Sequence, residues 1–243
     1  MKIAVISDVH GNIWALEAVL ENIKQRKIDH IFDLGDSLYG PLEPQKTFEL
    51  FKSYNIKSLK GNQDKLILDS IYKENTNQTI KYVINQLDQE ALKWLNQLPD
   101  ERIQNNSVIM FHGTNSNNSE YLVEKLNVDY VGIKSVVELD KILSKIKQKT
   151  ILCGHSHTPR LLETKNKTVI NPGSVGLQAY DDELPIFHEI ENFNPRAKYC
   201  ILQFTSKLNV EFITVSYDFE KAALKAELNN RNDWAEWIRT GRI

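Results

Sequence analysis

Three features of the sequence predict an α/β fold with helices on the faces of a parallel sheet. Apolar runs of strand length alternate with stretches of helical periodicity. The first third of the chain orders them strand–helix–strand–helix–strand. Several of the apolar runs end on the same few residue types, Asp, His and Asn, with glycine beside them.

The elements follow in order. "KIAVIS" reads as a buried strand, and "NIWALEAVLENIKQR" as a helix with Ile13, Leu16, Leu20 and Ile23 on one face. "HIFDLGD" is a strand, "EPQKTFELFKSY" a helix and "IKSLKGN" a strand. Residues 65–98 hold no clear strand and read as two or three inserted helices. "SVIMFHG" is the next strand, followed by a Ser/Asn-rich loop, "GTNSNNSE". "VVELDKILSKIKQ" is a helix and "TILCGHSH" a strand. The pattern then turns antiparallel. "RLLETKNKTVINPGS" predicts a hairpin turning at Lys165-Asn166-Lys167, and "AKYCILQF" pairs with "NVEFITVSY" through a turn near Lys207-Leu208. From about 218 to 240 the chain is helical. Ala222, Leu224 and Leu228, then Trp234 and Ile238, are expected to form apolar faces. The Trp234, Trp237, Ile238 stripe implies core packing or a homodimer contact. No repeat or linker interrupts the 243 residues, so residues 1–243 are expected to form one domain.

Composition narrows the function classes. The chain is 41% hydrophobic and 26% charged with a formal net charge of -2, so no basic stripe argues for nucleic acid. Cys153 and Cys200 each sit in an apolar run; without a disulfide framework, a reducing compartment is the default. The N-terminal apolar stretch is too short for a signal peptide, and nothing approaches the ~18 residues of a membrane span. The expectation is a cytoplasmic protein with no membrane partner.

The strand ends carry the chemistry. "VISDVHGN" delivers Asp8 and His10, "DLGDSLYG" Asp36, and "LKGNQD" Asn62 and Asp64. "VIMFHGT" delivers His112, and "ILCGHSH" His155 and His157. In an open α/β sheet the carboxyl ends of the strands line the ligand crevice, so these residues should converge. Imidazole, carboxylate and one amide oxygen suit Mn, Fe or Zn, whereas an all-oxygen Mg or Ca cage has no need of histidine. Two such ions clamp a phosphoryl oxygen and turn a bound water into hydroxide near neutral pH, with Asp36 as the natural bridge.

D-x-H, G-D, G-N-x-D, H-G and G-H-S-H, in this order from Asp8 to His157, resemble the calcineurin-like metallophosphoesterase family. "INPGSVG" resembles the loop that closes the site in the bacterial phosphodiesterase branch. "NPRAKYCIL" and the terminal "SYDFEKAALKAE…WIRTGR" are similar to a branch often labelled diadenosine tetraphosphatase or protein phosphatase-like. The resemblance implies a four-layer α-β-β-α sandwich, two mixed sheets flanked by helices, with the metal site at strand C-terminal ends. It implies that Asp8, His10 and His157 hold one metal, that Asn62, His112 and His155 hold the other, and that Asp36 bridges them. Many members place a substrate-contacting histidine after the motif asparagine. This chain has Gln63, which can donate to a phosphoryl oxygen but cannot act as a general acid.

The expected activity is hydrolysis of a small phosphorylated substrate, with phosphodiesters or dinucleoside polyphosphates favoured and nucleotides among the candidates. Asn62 is expected to offset developing charge. Asp64 has two readings, a catalytic group near the site or a helix cap. Gln63 and Arg196 are candidate substrate contacts; Arg196 otherwise reads as a surface ion pair. Asn171 and Gly173 either line the site or form a loop turn. His30 and His188 read as structural. The rival class is a non-catalytic scaffold of the same fold, argued against by the cost of keeping so many charged and imidazole groups together.

Overall fold

The computed structural model describes residues 2–73 and 77–243; within the 65–98 insertion, residues 74–76 lie outside the described residues, as does Met1. The first quarter of the chain runs β1 (Lys2–Ile6), α1 (Ile13–Gln25), β2 (Ile31–Asp33), α2 (Pro44–Ser53) and β3 (Lys57–Ser58). Three helices follow, α3 (Asn62–Ser70), α4 (Gln78–Gln86) and α5 (Gln89–Gln97), where the insertion was expected. Next come β4 (Glu101–Gln104), β5 (Val108–Phe111), β6 (Glu124–Leu126), β7 (Val131–Ile133), α6 (Val136–Ile142) and β8 (Thr150–Leu152). The remainder is β9 (Arg160–Glu163), β10 (Thr168–Asn171), β11 (Ala179–Asp182), β12 (His188–Glu191), β13 (Ala197–Phe204), β14 (Leu208–Val215), α7 (Phe219–Leu228) and α8 (Asn232–Thr240).

Among the described residues two five-stranded sheets form the centre, in the orders β14-β13-β1-β2-β3 and β4-β5-β8-β10-β9. Both are mixed. β1, β2 and β3 run parallel while β13 and β14 join antiparallel. In the second sheet β5, β8 and β10 are parallel, with β4 and β9 antiparallel at the edges.

The strand period of two decides which residues face which layer. Ile3 and Val5 of β1 join Phe32, Val108, Met110, Leu152 and Ile170 in a core shared by the two sheets. The intervening Ala4 and Ile6 face the other way, against Leu16, Leu20 and Ile23 of α1. Ile109, Phe111, Ile151 and Val169 likewise turn outward from the second sheet onto Leu122, Val123, Leu143 and Ile146. The result is the expected layering of two mixed sheets between helical flanks. Each fully buried Ile or Leu here contributes about 1.5–3 kcal/mol over its exposed state.

Several expectations need correction. β4, the β6–β7 hairpin and the β11–β12 hairpin were not foreseen. Their sequences, such as "ERIQ" and "AYDD", are rich in charged residues that strands seldom favour, and their pairing is set by tertiary context. The helix expected over "VVELDKILSKIKQ" ends at Ile142 and passes into a 3₁₀ turn at Leu143–Lys145. α7 buries Ala222, Ala223 and Ala226, whereas Leu224 and Leu228 lie on the solvent side. Small residues carry the buried stripe. The hairpin around residues 165–167 and the β13–β14 pair form as expected. No helix among the described residues is long and apolar enough to cross a membrane.

Candidate metal centre

Seven side chains from distant points of the sequence meet where β1, β2, β5 and β8 end. Asp8 and His10 follow β1, Asp36 follows β2, His112 follows β5, and His155 and His157 follow β8. Asn62 opens α3 just after β3, so the positive end of that helix points at the cluster. Asp8, His10 and His157 form one group and Asp36, His112 and His155 a second, each with its donor atoms within 4.8 Å of one another.

The backbone is bent to bring them there. Asp8, His10, Asp36, His155 and His157 all have φ between 53° and 68°, the left-handed region that costs a non-glycine residue about 1–3 kcal/mol. Such strain persists only where the surroundings over-determine it. Two glycines show how tight the fit is. Gly35 has φ of 107°, and a Cβ there would stand 2.5 Å from the Gly61 nitrogen. A Cβ on Gly61 would stand 2.0 Å from Asp36 Oδ1, so any side chain would displace the carboxylate.

Three imidazoles are aimed by their far nitrogens. Nδ1 of His10 donates to the Tyr39 carbonyl (2.9 Å), Nδ1 of His112 to that of Leu34 (2.9 Å), and Nδ1 of His157 to that of Leu177 (2.8 Å). A carbonyl can only accept, so these bonds fix the tautomer and turn each Nε2 toward the cluster. There Nε2 of His10 lies 3.1 Å from Nε2 of His157. Nε2 of His157 is 3.4 Å from Asp8 Oδ1, a buried oxygen with no hydrogen-bond partner. Nε2 of His112 is 2.9 Å from Asn62 Oδ1 and 3.3 Å from Asp36 Oδ2. Around His10, His157 and Asp8 acceptor thus crowds acceptor, an arrangement that a cation between them would relieve. His155 is held differently: its ring packs on Tyr121 with centroids 4.7 Å apart, and its backbone N–H donates to Asp8 Oδ2.

The electrostatics agree. Burial opposes ionisation of Asp8, yet His157, His112 and His10 hold its carboxyl well below the usual range. Burial likewise opposes charge on His112, but Asp36 and Asp8 outweigh it and raise the imidazole to about 10. Burial and His157 lower His10 to about 4, and burial and His112 lower His155 to about 3. The bare cluster therefore keeps one proton on His112 while His10 and His155 remain neutral donors. Nitrogen and carboxylate donors in two groups, with a carboxylate oxygen left orphaned, fit a pair of transition-metal ions.

The structure separates the remaining candidates. Gln63 lines the cleft, and its backbone N–H donates to Asp36 Oδ1 (2.8 Å). Asp64 is fully buried and serves as a cap. Oδ2 accepts from the backbone N–H groups of Gly61 and Asp36, and Oδ1 from that of Ser37. Of the two readings of Asp64 the helix cap is the one seen, and it ties the Asp36 loop to α3. Arg196 takes its surface reading. It is exposed, its backbone N–H is held by Asn194 Oδ1, and it is not among the residues lining the cleft. Asn171 is buried and donates to the Gly154 carbonyl and to Ser156 Oγ, which braces the loop bearing His155 and His157. His188 is buried against the Tyr121 hydroxyl, and the carbonyl of exposed His30 extends the β1 ladder.

Sequence reasoning missed the outer wall. Tyr39, Tyr180, Arg231, Trp234 and Trp237 line the cleft beside the metal cluster. Trp234 meets the His10 ring edge-on at 5.7 Å, and the Tyr180 hydroxyl donates to the His155 carbonyl (3.0 Å). The tryptophan stripe does pack in the core, as expected, but the same residues also face the cleft. The available signal was Arg231, three residues before that stripe.

Known proteins share this fold. The chain matches the calcineurin-like phosphoesterase superfamily domain over residues 1–192. It is 32% identical to protein MJ0912 of Methanocaldococcus jannaschii, covering 96% of this chain and 94% of that protein. A metallophosphoesterase from Sphaerobacter thermophilus superposes with a TM-score of 0.73 at 24% identity, covering 97% of this chain and 99% of the other. Protein PH1004 from Pyrococcus horikoshii OT3 gives 0.77 at 21% identity, with 99% and 98% covered. With its sheets, its strand-end donors and the matched span in agreement, the chain belongs to the calcineurin-like phosphoesterase superfamily.

Proposed function

We propose that the chain is a metal-dependent hydrolase of phosphate esters or anhydrides, with a phosphodiester or a dinucleoside polyphosphate as the favoured substrate. One observation carries the reading: two groups of buried donors share one centre, with lone pairs of His10 and His157 facing each other and Asp8 Oδ1 unpartnered. Asp8, His10 and His157 would hold one ion, and Asn62, His112 and His155 the other, with Asp36 between them and Mn, Fe or Zn as the fitting metals. Bound there, such a pair supplies Lewis acidity toward a phosphoryl oxygen and acidifies a water toward neutral pH.

The protein's own groups do the rest. Gln63 N–H fixes one oxygen of Asp36 and leaves the other facing His112. Asn62, at the first turn of α3, offers its amide to a phosphoryl oxygen with the helix N-terminus behind it. Gln63 faces the cleft without a transferable proton, so the departing oxygen leaves unaided by that side chain. The chain acts as a single domain, and two buried free cysteines favour a cytoplasmic setting.

The test is a panel of phosphate monoesters, diesters and anhydrides incubated with protein reconstituted with Mn. Turnover of nitrophenyl diesters or anhydrides that vanishes on chelation and returns with Mn is expected. A metal-loaded protein that hydrolyses none of them would refute the enzyme reading and favour the scaffold.

A further inference from the structure

The cluster sits on a ridge between two recesses of unequal size. Asn62, His155 and Asp182 line both. The smaller, walled by Trp234 and Arg231, has a volume of ≈ 140 Å³. The larger has ≈ 650 Å³ and is walled by Tyr121, Leu126, Leu184 and Pro185. Pockets that hold a drug-sized ligand run from about 300 to 1,000 Å³, so of these two only the larger can take a nucleoside-sized group; a third recess beside Asn62, ≈ 450 Å³, is walled by polar and charged residues and offers no apolar face.

Its charges decide what kind of group. Glu124 is buried and paired with Arg160 at 3.4 Å, while Glu120 stands beside it in the larger recess with Asp182 on the shared ridge. Its two lysines are both engaged. Lys134 donates to the carbonyls of Tyr121 (2.6 Å), Leu122 (3.3 Å) and Glu124 (2.7 Å). Lys125 is paired with Glu138 at 2.6 Å. On the other side Arg231 is paired with Asp233 at 2.6 Å, and Asp181 lies nearby. The polar recess beside Asn62 sets Lys65 against Asp100 and Glu101. Outside the metal cluster the cleft therefore holds few cations that are not engaged or outnumbered by acids. A chain of further phosphates would meet carboxylates there, which Coulomb repulsion and desolvation both oppose.

We infer that the Tyr121–Leu126–Leu184–Pro185 recess is the subsite for one uncharged, nucleoside-sized arm joined directly to the scissile phosphate, and that the acidic rim selects against arms carrying additional phosphates. The inference rests on the proposed phosphoester chemistry and narrows it to diesters with neutral arms. Apolar walls take the flat face of such an arm, and Glu120 offers an acceptor to its hydroxyls. Leu126 comes from β6, while Leu184 and Pro185 come from the loop joining β11 to β12. Both hairpins thus find a use in recognition.

The test uses the full chain loaded with Mn and reads binding as well as turnover. Calorimetric titration with thymidine 5′-monophosphate and with inorganic phosphate comes first, on the unmodified protein, on Leu126→Trp and on Leu184→Ala. Leu184 is 74% exposed, so its variant should fold even if the tryptophan at 126 disturbs β6. Filling the recess should weaken the nucleotide about tenfold, and trimming its wall about threefold, with inorganic phosphate within about twofold in both. Turnover follows: the unmodified enzyme should prefer thymidine p-nitrophenyl phosphate to diadenosine tetraphosphate by about tenfold or more in kcat/KM. Glu120→Lys should narrow that gap. Nucleotide binding no tighter than inorganic phosphate, equal loss of both ligands in the variants, or preference for the tetraphosphate would each overturn the subsite. Selective nucleotide binding without turnover of any ester would keep the subsite and refute the hydrolase reading.

Discussion

The two donor groups of the centre are built from the same residue types and held in different ways. In the Asp8, His10, His157 group every member is buried, and both imidazoles are pinned by Nδ1 bonds to backbone carbonyls. In the Asp36, His112, His155 group only His112 has such a bond, while His155 is partly exposed and leans on the ring of Tyr121. The first group is braced by β1 and the loop after β10 and borders the smaller recess through His10 and His157. The second borders both recesses, through His155 and Asn62, and alone reaches the larger. A centre that holds ions and still admits a substrate, as proposed, needs both: one rigid set of donors and one that opens to the larger recess.

Asp36→Asn should have the largest effect. The amide oxygen can still accept from Gln63 N–H, so the geometry survives while the charge is lost. Activity should fall by about 10³-fold or more, with lower metal content at unchanged melting temperature. A variant that keeps activity and both ions would remove Asp36 from the centre.

Alanine at the two paired histidines separates the groups. His157→Ala opens the rigid socket and should weaken the more tightly held ion by about 10²-fold. His155→Ala should spare that ion and weaken the more exchangeable one. Chelator titration of Mn-loaded protein reads the two separately, and equal loss in both variants would erase the distinction.

Tyr121→Leu should act on the second group and the larger recess but spare the first group, since the ring packs on His155 and walls that recess. An activity loss of about tenfold, partly restored by excess Mn, is expected, and Tyr121→Phe should recover most of it because the ring is retained. Loss with the phenylalanine variant equal to that with leucine would shift the role to the hydroxyl, which bonds Tyr180 and His188.

Gln63→His is a smaller, selective change. Alkyl phosphate esters should gain most, up to the ~10²-fold at the lower end of general acid assistance, while nitrophenyl esters change little. Measuring kcat/KM against leaving-group acidity in both proteins checks this. An unmodified enzyme with no leaving-group dependence would mean that another group supplies the proton. His30→Ala, remote from the centre, should leave turnover within about twofold.

The centre was far more legible than its walls, and the reason is physical. A ligand at a strand end carries a local signature: an apolar run, a glycine that lets the chain turn, then Asp, His or Asn. Asp8, Asp36, His112 and His155 could each be found from a dozen neighbouring residues, and the parallel order of strands implied that they meet. Trp234 and Arg231 carry no such signature, because the helix that presents them lies far along the chain and reaches the cleft only through packing of α8. Asp64 stayed between two readings for a related reason. Its spacing placed it beside the site, but only the three backbone N–H groups it accepts from reveal that it faces inward. Leu224 and Leu228 failed because helical periodicity marks a face without naming which face is close-packed.

The central claim is that two ions occupy this one chain, the first held more firmly than the second. Elemental analysis of protein purified without chelator and then equilibrated with Mn tests it directly, followed by stepwise withdrawal with a competing chelator. The account predicts two transition-metal ions per chain, released in two resolved steps, with the later step missing in His157→Ala and the earlier one missing in His155→Ala. A single ion per chain, or none after reconstitution, would contradict it.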